Sequence, residues 1–313
     1  MKRLNLPKKV IIKEVGPRDG LQNEKNFIET KYKIEWINSL SQTGLDYIEV
    51  SSFVHPKWIP QLADSEEVLK SIKREKGVTY AALVPNIRGL ERALRAQVDE
   101  VSVFMSASEG HNKSNINKTI DETFPVLKEV VDEALKAKVK VRGYVSTVIA
   151  CPYDGPVEPT QVLKVVDRLA EMGISEISLG DTIGVGVPTQ VESLLTVLLQ
   201  HFPPSLFAMH FHDTRGTALA NVVKSLEMGI TTFDSSTGGL GGCPYAHGAS
   251  GNVATEDLLY LLSEMNIETG VHMDALIDSA FLIEEKIGKP LLSKQIQIAR
   301  NERSKQIDSA RSI

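Results

Sequence analysis

Short runs of β-branched and apolar residues recur along the chain, and the stretches between them keep a different rhythm. The runs cover 10–15, 47–53, 79–84, 100–105, 140–146, 176–180, 207–211 and 231–234. Their first and last starts lie 221 residues apart over seven intervals, about 32 residues each. That is the length of one strand plus a crossover helix. The runs are largely apolar on both faces, as strands are when helices cover a closed sheet. Between them, 31–40, 65–73, 125–138, 161–172, 189–202 and 218–228 place apolar residues three and four apart, the period of an amphipathic helix. Gly44, Gly77, Gly173 and Gly229 stand where a helix end takes a left-handed residue. Such a series suits an open doubly wound sheet or a closed barrel. Eight is the barrel number, and no Pro/Gly/Ser-rich linker divides the chain. The pattern therefore predicts an α/β fold, a single (β/α)8 TIM barrel domain spanning 1–313. Past Asp257 the segments 258–265, 273–287 and 293–309 read as helices with no further strand. Residues 258–313 are expected to form the eighth helix and a C-terminal helical extension.

Composition narrows the class. A chain of 313 residues buries enough surface to fold without a disulfide or structural metal. Its 35 basic and 40 acidic side chains leave a net charge of −5, which argues against a nucleic-acid platform. No stretch approaches the ~18 apolar residues of a membrane helix. Two cysteines, Cys151 and Cys243, make no disulfide framework. With no apolar run after Met1-Lys2-Arg3-Leu4 and no peroxisomal ending at Arg311-Ser312-Ile313, the expected location is cytoplasmic.

On a barrel, catalytic groups sit at the C-terminal ends of strands and in the loops after them. Those positions hold Arg18 and Asp19, Glu49, a Ser/Asn-rich stretch at 106–117, Asp181, the pair His210 and His212, and a glycine-dense loop around Cys243. Two histidines two apart on a strand face the same side, which favours a metal over a core role. The nearest oxygen donors are Asp19, Asp213 and the Asn252 amide; a mixed nitrogen and oxygen set points to magnesium or manganese. Cys243 is the alternative, as a fourth ligand to zinc. Arg18 is either a surface partner of Asp19 or a guanidinium aimed at an oxyanion. Glu49 is expected to hold Arg18, and Asp181 to bond a histidine or the substrate. The glycine loop is neither a Walker loop nor a dinucleotide fingerprint. It is a mobile surface loop or one carrying the Cys243 thiol over a cationic site. Cys151 reads as structural. His55, His111, His201, His247 and His272 receive no role, with His55, His111 and His247 placed on solvated loops.

Together these motifs resemble the 3-hydroxy-3-methylglutaryl-CoA lyase family. The likeness is carried by Glu14-Val15-Gly16-Pro17-Arg18-Asp19-Gly20-Leu21-Gln22-Asn23-Glu24, by Ile48-Glu49-Val50-Ser51-Ser52-Phe53-Val54 and by His210-Phe211-His212-Asp213-Thr214. Its most specific part is Gly239-Leu240-Gly241-Gly242-Cys243-Pro244-Tyr245-Ala246, continuing from Gly248 to Asp257. Isopropylmalate and homocitrate synthases share the arginine–aspartate turn and the paired histidines, but not this cysteine loop. The resemblance implies a magnesium or manganese ion held by Asp19, His210, His212 and Asn252. It implies that Arg18 contacts the substrate thioester, Glu49 orients Arg18, Asp181 supports the site and Cys243 is the catalytic thiol. Gln22 and Lys25 are expected at the substrate, with Lys25 and 112–118 near the CoA phosphates. The implied activity is carbon–carbon cleavage of an acyl-CoA substrate to acetyl-CoA and acetoacetate, by a homodimer as is common in the family. Asp19, His210 or a water molecule can each take the hydroxyl proton. The alternatives are a condensing acyltransferase joining acetyl-CoA to a 2-oxo acid, and a non-catalytic CoA- or metal-binding barrel. No nucleic acid or membrane partner is expected.

Overall fold

Each predicted strand forms, and every strand end lies within one residue of its expected place. They are β1 (Ile11–Glu14), β2 (Tyr47–Ser52), β3 (Thr79–Leu83), β4 (Glu100–Ser106), β5 (Lys140–Ser146), β6 (Glu176–Asp181), β7 (Phe207–Phe211) and β8 (Thr232–Ser235). The computed structural model describes residues 6–242 and 251–311, with side chains through 305. Neighbouring strands pair in parallel in chain order, and β1 closes the barrel on β8 from Ile11 beside Thr232 to Glu14 beside Ser235. A small antiparallel hairpin, Ala150–Cys151 with Gly155–Pro156, follows β5. Cys151 is buried there, and its sulfur accepts the Tyr153 and Asp154 amides at 3.3 Å each.

The outer ring contains α1 (Thr30–Leu40), α2 (Ser65–Ser71), α3 (Ile87–Arg95), α4 (Glu109–Ile116), α5 (Ile120–Lys136), α6 (Pro159–Glu171), α7 (Pro188–Leu198) and α8 (Ala218–Glu227). Their apolar stripes lie against the barrel: Trp36, Ile37 and Leu40 of α1, and Val130 and Val131 of α5, are fully covered. Two helices depart from the expected pattern. α3 carries a narrow apolar face, Leu90 and Ala93, and is started by Asn86, whose side chain accepts the Gly89 amide at 3.0 Å. α4 replaces the Ser/Asn-rich loop expected at 106–117. α5 begins before Pro125 because Thr119 and Glu122 cap each other's backbone amides, at 3.1 and 2.9 Å. After β8 come α9 (Thr255–Glu264), α10 (Met273–Ile287) and α11 (Lys294–Arg311), the expected C-terminal helices. No helix among the described residues is long and apolar enough to cross a membrane.

The barrel interior is charged. Lys13 of β1 reaches Glu176 of β6 at 2.8 Å, and Arg142 of β5 reaches Asp234 of β8 at 2.6 Å. These strands are not neighbours, so both contacts cross the lumen beneath the mouth. Tyr47 lies against the Lys13 ammonium and donates its hydroxyl to Glu100 at 3.0 Å.

Candidate metal centre and active-site cavity

Beyond β1 the chain winds into a tight turn, Gly16–Gly20, in which the Arg18, Asp19 and Gly20 amides all converge on the Val15 carbonyl. This presents two charged side chains, both buried, at the barrel mouth. Glu14 anchors the turn from below. Its carboxylate accepts the Gly16 amide at 2.8 Å, the Thr237 amide and hydroxyl at 2.9 Å each, and the Thr255 hydroxyl at 2.7 Å. One buried carboxylate thus ties β1 to the loop after β8 and to the start of α9.

The same end of the barrel gathers the histidines. His210 and His212 turn their Nε2 atoms to within 3.3 Å of each other, and Asp19 Oδ2 lies 3.8 and 3.9 Å from them. Ligand atoms of these three buried residues all fall within 4.8 Å of one another, the spacing of a metal site. Asn252 joins from far along the chain. It is held beside His212 because the Asp213 amide donates to the Gly251 carbonyl at 3.0 Å and the Val253 amide to the Phe211 carbonyl at 2.9 Å. Its Nδ2 donates to Asp19 Oδ2 at 2.8 Å and to the Leu240 carbonyl at 3.0 Å. Its Oδ1 is buried with no partner among the described residues. A buried acceptor without a donor is costly, and a cation at this point satisfies it.

The electrostatics suit ligation. Burial pushes the Asp19 carboxyl up, but Arg18, the two histidines and the Asn252 amide outweigh it and hold the group at about 2. Burial, reinforced by His210, lowers His212 to about 4, so its imidazole is neutral with a lone pair to give at neutral pH. His210 Nδ1 faces Asp234 Oδ2 at 3.1 Å. Burial raises the Asp234 carboxyl, yet Arg142 and His210 more than offset it, leaving it ionised.

Arg18 is fixed on two edges. Its Nε donates to Glu49 Oε2 and its Nη1 to Asp19 Oδ1, both at 2.5 Å, while Nη2 makes no hydrogen bond among the described residues. The Tyr144 hydroxyl also donates to Glu49 Oε2, at 3.0 Å, and the Arg18 guanidinium lies 5.0 Å from the Tyr144 ring centre. Above these groups opens a cavity of about 340 Å³, whose lining includes Arg18, Asp19, both histidines, Trp58, Phe104 and His111. Its size suits a small-molecule ligand.

The model of the HMGL-like family matches residues 9–283. The chain belongs to the HMGL-like family. The hydroxymethylglutaryl-CoA lyase YngG of Bacillus subtilis is 60% identical to it over 295 residues, covering 94% of this chain and 99% of the relative. A 3-hydroxy-3-isohexenylglutaryl-CoA/hydroxymethylglutaryl-CoA lyase of Pseudomonas aeruginosa is 54% identical, covering 91% and 95%. A solved HMG-CoA lyase of Acinetobacter baumannii, in complex with coenzyme A and 3-methylmalate, superposes with a TM-score of 0.89 at 39% identity, covering 93% and 95%.

Measured against this HMGL-like chain, the sequence-derived residues separate into three groups. Asp19, His210, His212, Asn252, Arg18 and Glu49 meet at one point, and Gln22 joins them by donating its amide to Asp19 Oδ1 at 3.1 Å. Two of the other expected residues stand elsewhere. Lys25 is exposed and does not line the cavity. Asp181 makes no hydrogen bond to a histidine among the described residues and accepts the Val185 and Gly186 amides at 3.2 and 2.8 Å, shaping the turn after β6. Asp213, weighed as a ligand, accepts the Ala218 amide at the start of α8. Cys243 and His247 lie outside the described residues.

His111 requires a correction. Expected on a solvated loop, it is buried in α4, lines the cavity and shares a 2.5 Å hydrogen bond with the Ser106 hydroxyl. Burial lowers it to about 4 and keeps it neutral. Sequence reasoning also passed over Asp234 and Tyr144. Both are polar groups within β-runs: strand register places Asp234 beside His210, whereas closure of the barrel brings Tyr144 of β5 across the lumen to Glu49 of β2.

The glycine-rich segment has a packing reason where it is described. A Cβ on Gly241, at φ +113°, would stand 2.7 Å from Asn252 Nδ2, and one on Gly251 would strike the Gly239 and Gly241 carbonyls. Beneath it, both Glu256 oxygens accept the Gly238 amide, at 3.0 and 2.9 Å. Burial raises Glu256 from its ordinary 4.5 to about 8. Because the folded chain binds this proton more tightly than the unfolded one, stability falls as pH rises through that window and levels off above it. Glu256→Gln is expected to remove this slope, retaining on the order of 5 °C more of its Tm than the parent between pH about 5 and about 9. Parallel Tm–pH curves for the two proteins would contradict this assignment.

Proposed function

We propose that this chain is a divalent-cation-dependent carbon–carbon lyase that cleaves 3-hydroxy-3-methylglutaryl-CoA to acetyl-CoA and acetoacetate, acting as a cytoplasmic homodimer. The observation that carries this reading is the meeting of Asp19, two imidazoles and the unpartnered Asn252 oxygen beside the open edge of Arg18. The names of the relatives support the substrate, and the A. baumannii complex supports a CoA-bearing ligand.

Asp19, His210, His212 and Asn252 would hold magnesium or manganese, ions suited to hard oxygen donors with imidazole. When bound, such an ion supplies Lewis-acid polarisation of the substrate's hydroxyl and carboxylate oxygens. The remaining chemistry falls to side chains. A base in the cluster takes the tertiary hydroxyl proton. The carbon–carbon bond then breaks, its electron pair passing to the departing thioester enolate while the hydroxyl carbon becomes the ketone of acetoacetate. Arg18 Nη2 stabilises the enolate oxygen, a role typically worth ~3–4 kcal/mol for one well-aimed donor. Glu49 and Asp19 fix the guanidinium so that this donor needs no reorientation. Cys243 delivers its proton to the enolate carbon, giving acetyl-CoA, and is reprotonated by the base that took the hydroxyl proton.

Incubation with 3-hydroxy-3-methylglutaryl-CoA is expected to give acetyl-CoA and acetoacetate in equal amounts. No cleavage, together with free CoA appearing from acetyl-CoA and a 2-oxo acid, would assign the chain to the condensing acyltransferases instead.

A further inference from the structure

The two imidazoles at the cation site are not held alike. His210 Nδ1 lies 3.1 Å from Asp234 Oδ2, whereas His212 Nδ1 is buried with no partner among the described residues. The Asp234 carboxylate is itself restrained. Arg142, fully buried in the lumen, gives Nη2 to Oδ1 at 2.6 Å and Nη1 to Oδ2 at 3.2 Å. Ser178 adds its hydroxyl to Oδ2 at 2.8 Å, and Glu176 holds the Arg142 Nε at 2.6 Å. Asp234 and His210 are register partners on β8 and β7, so backbone pairing sets their approach.

We propose that Asp234, clamped by Arg142, is a positioning residue that fixes which ring nitrogen of His210 faces the cation. The proposal rests on the cation site proposed above. A carboxylate paired with a guanidinium only accepts hydrogen bonds, so His210 Nδ1 must donate to it. Nε2 then carries the lone pair, pointed at Asp19 and His212. In a neutral imidazole, the bond made by one nitrogen decides whether the other can ligate.

Asp234→Asn reverses this arrangement. Of the two guanidinium contacts the shorter, 2.6 Å at Oδ1 against 3.2 Å at Oδ2, keeps the oxygen, so the new amide nitrogen takes the Oδ2 position facing His210. An amide there donates, His210 Nδ1 must accept, and the ring proton moves to Nε2, which can no longer ligate. The atoms change little while the tautomer inverts.

Nitrogen-15 histidine spectra of the Mg²⁺-loaded parent protein, with the His210 signals assigned by their loss in His210→Ala, are expected to show the proton on Nδ1 and none on Nε2. A proton on Nε2 in the parent overturns the proposal, whether or not any Asp234 variant folds. In Asp234→Asn the pattern should invert, and Mn²⁺ affinity by calorimetry should fall roughly 10- to 100-fold. Parent-like spectra and affinity in that variant also overturn it. His210→Ala separates the two layers. Unchanged Mn²⁺ affinity in His210→Ala refutes the cation site itself. Lost affinity there, with parent-like Asp234→Asn, refutes only the positioning claim.

Discussion

Cys243→Ser is expected to lower kcat by roughly three orders of magnitude while leaving cation affinity and KM near their parent values. General acid catalysis by one placed group typically contributes 10²–10⁴-fold, and serine removes it almost wholly. The hydroxyl matches the thiol in size but is a far weaker acid than a cysteine of ordinary pKa about 8.5. Protonation of the enolate carbon therefore slows without altering what holds the substrate. Gly242, the residue before Cys243, lines the cavity, and its carbonyl accepts the Asn23 amide at 2.5 Å. Steady-state kinetics with calorimetric Mn²⁺ titration checks both halves. Turnover within a few-fold of the parent would remove the thiol from the mechanism.

Arg18→Lys carries the second large effect. The guanidinium is fixed in two directions, Nε to Glu49 and Nη1 to Asp19, and in the proposed reaction its Nη2 serves the substrate. An ammonium on a flexible stem cannot reproduce that planar fork. The lysine satisfies one or both buried carboxylates and leaves the thioester oxygen unserved. A loss of about 10²–10³ in kcat is expected, the usual cost of removing one aligned oxyanion donor. Cation binding should persist, because Asp19 and the histidines remain. A variant within tenfold of the parent would show that Arg18 does not act on the developing charge.

The barrel was legible in sequence because its strands are buried on both faces and recur as short, largely apolar runs about 32 residues apart, even though Lys13, Arg142 and Asp234 place charges among them. The helices were legible where they carry a wide apolar stripe, as α1 and α7 do. α3 and α4 escaped notice because they are short and mostly polar, and their strongest local signal in α3 is a single capping residue, Asn86. Among the site residues, Asp19, His210 and His212 announce themselves at strand exits. Asp234 does not, because an aspartate inside Thr-Phe-Asp-Ser has no meaning until strand register sets it beside His210. His111 looked solvated because nothing local reveals that α4 folds over the mouth. Lys25 follows the arginine–aspartate turn closely in sequence, yet the chain leaves the cavity before reaching it.

The proposed lyase site requires a cation held by Asp19, His210, His212 and Asn252. Its most direct measurement is acetoacetate production from hydroxymethylglutaryl-CoA by chelated protein as Mn²⁺ is returned stepwise, with ion occupancy followed in parallel. No product is expected without the ion, and activity is expected to rise with occupancy to saturation at one ion per chain. Acetoacetate formed at the full rate by ion-free protein, or occupancy that rises without any product, would contradict it.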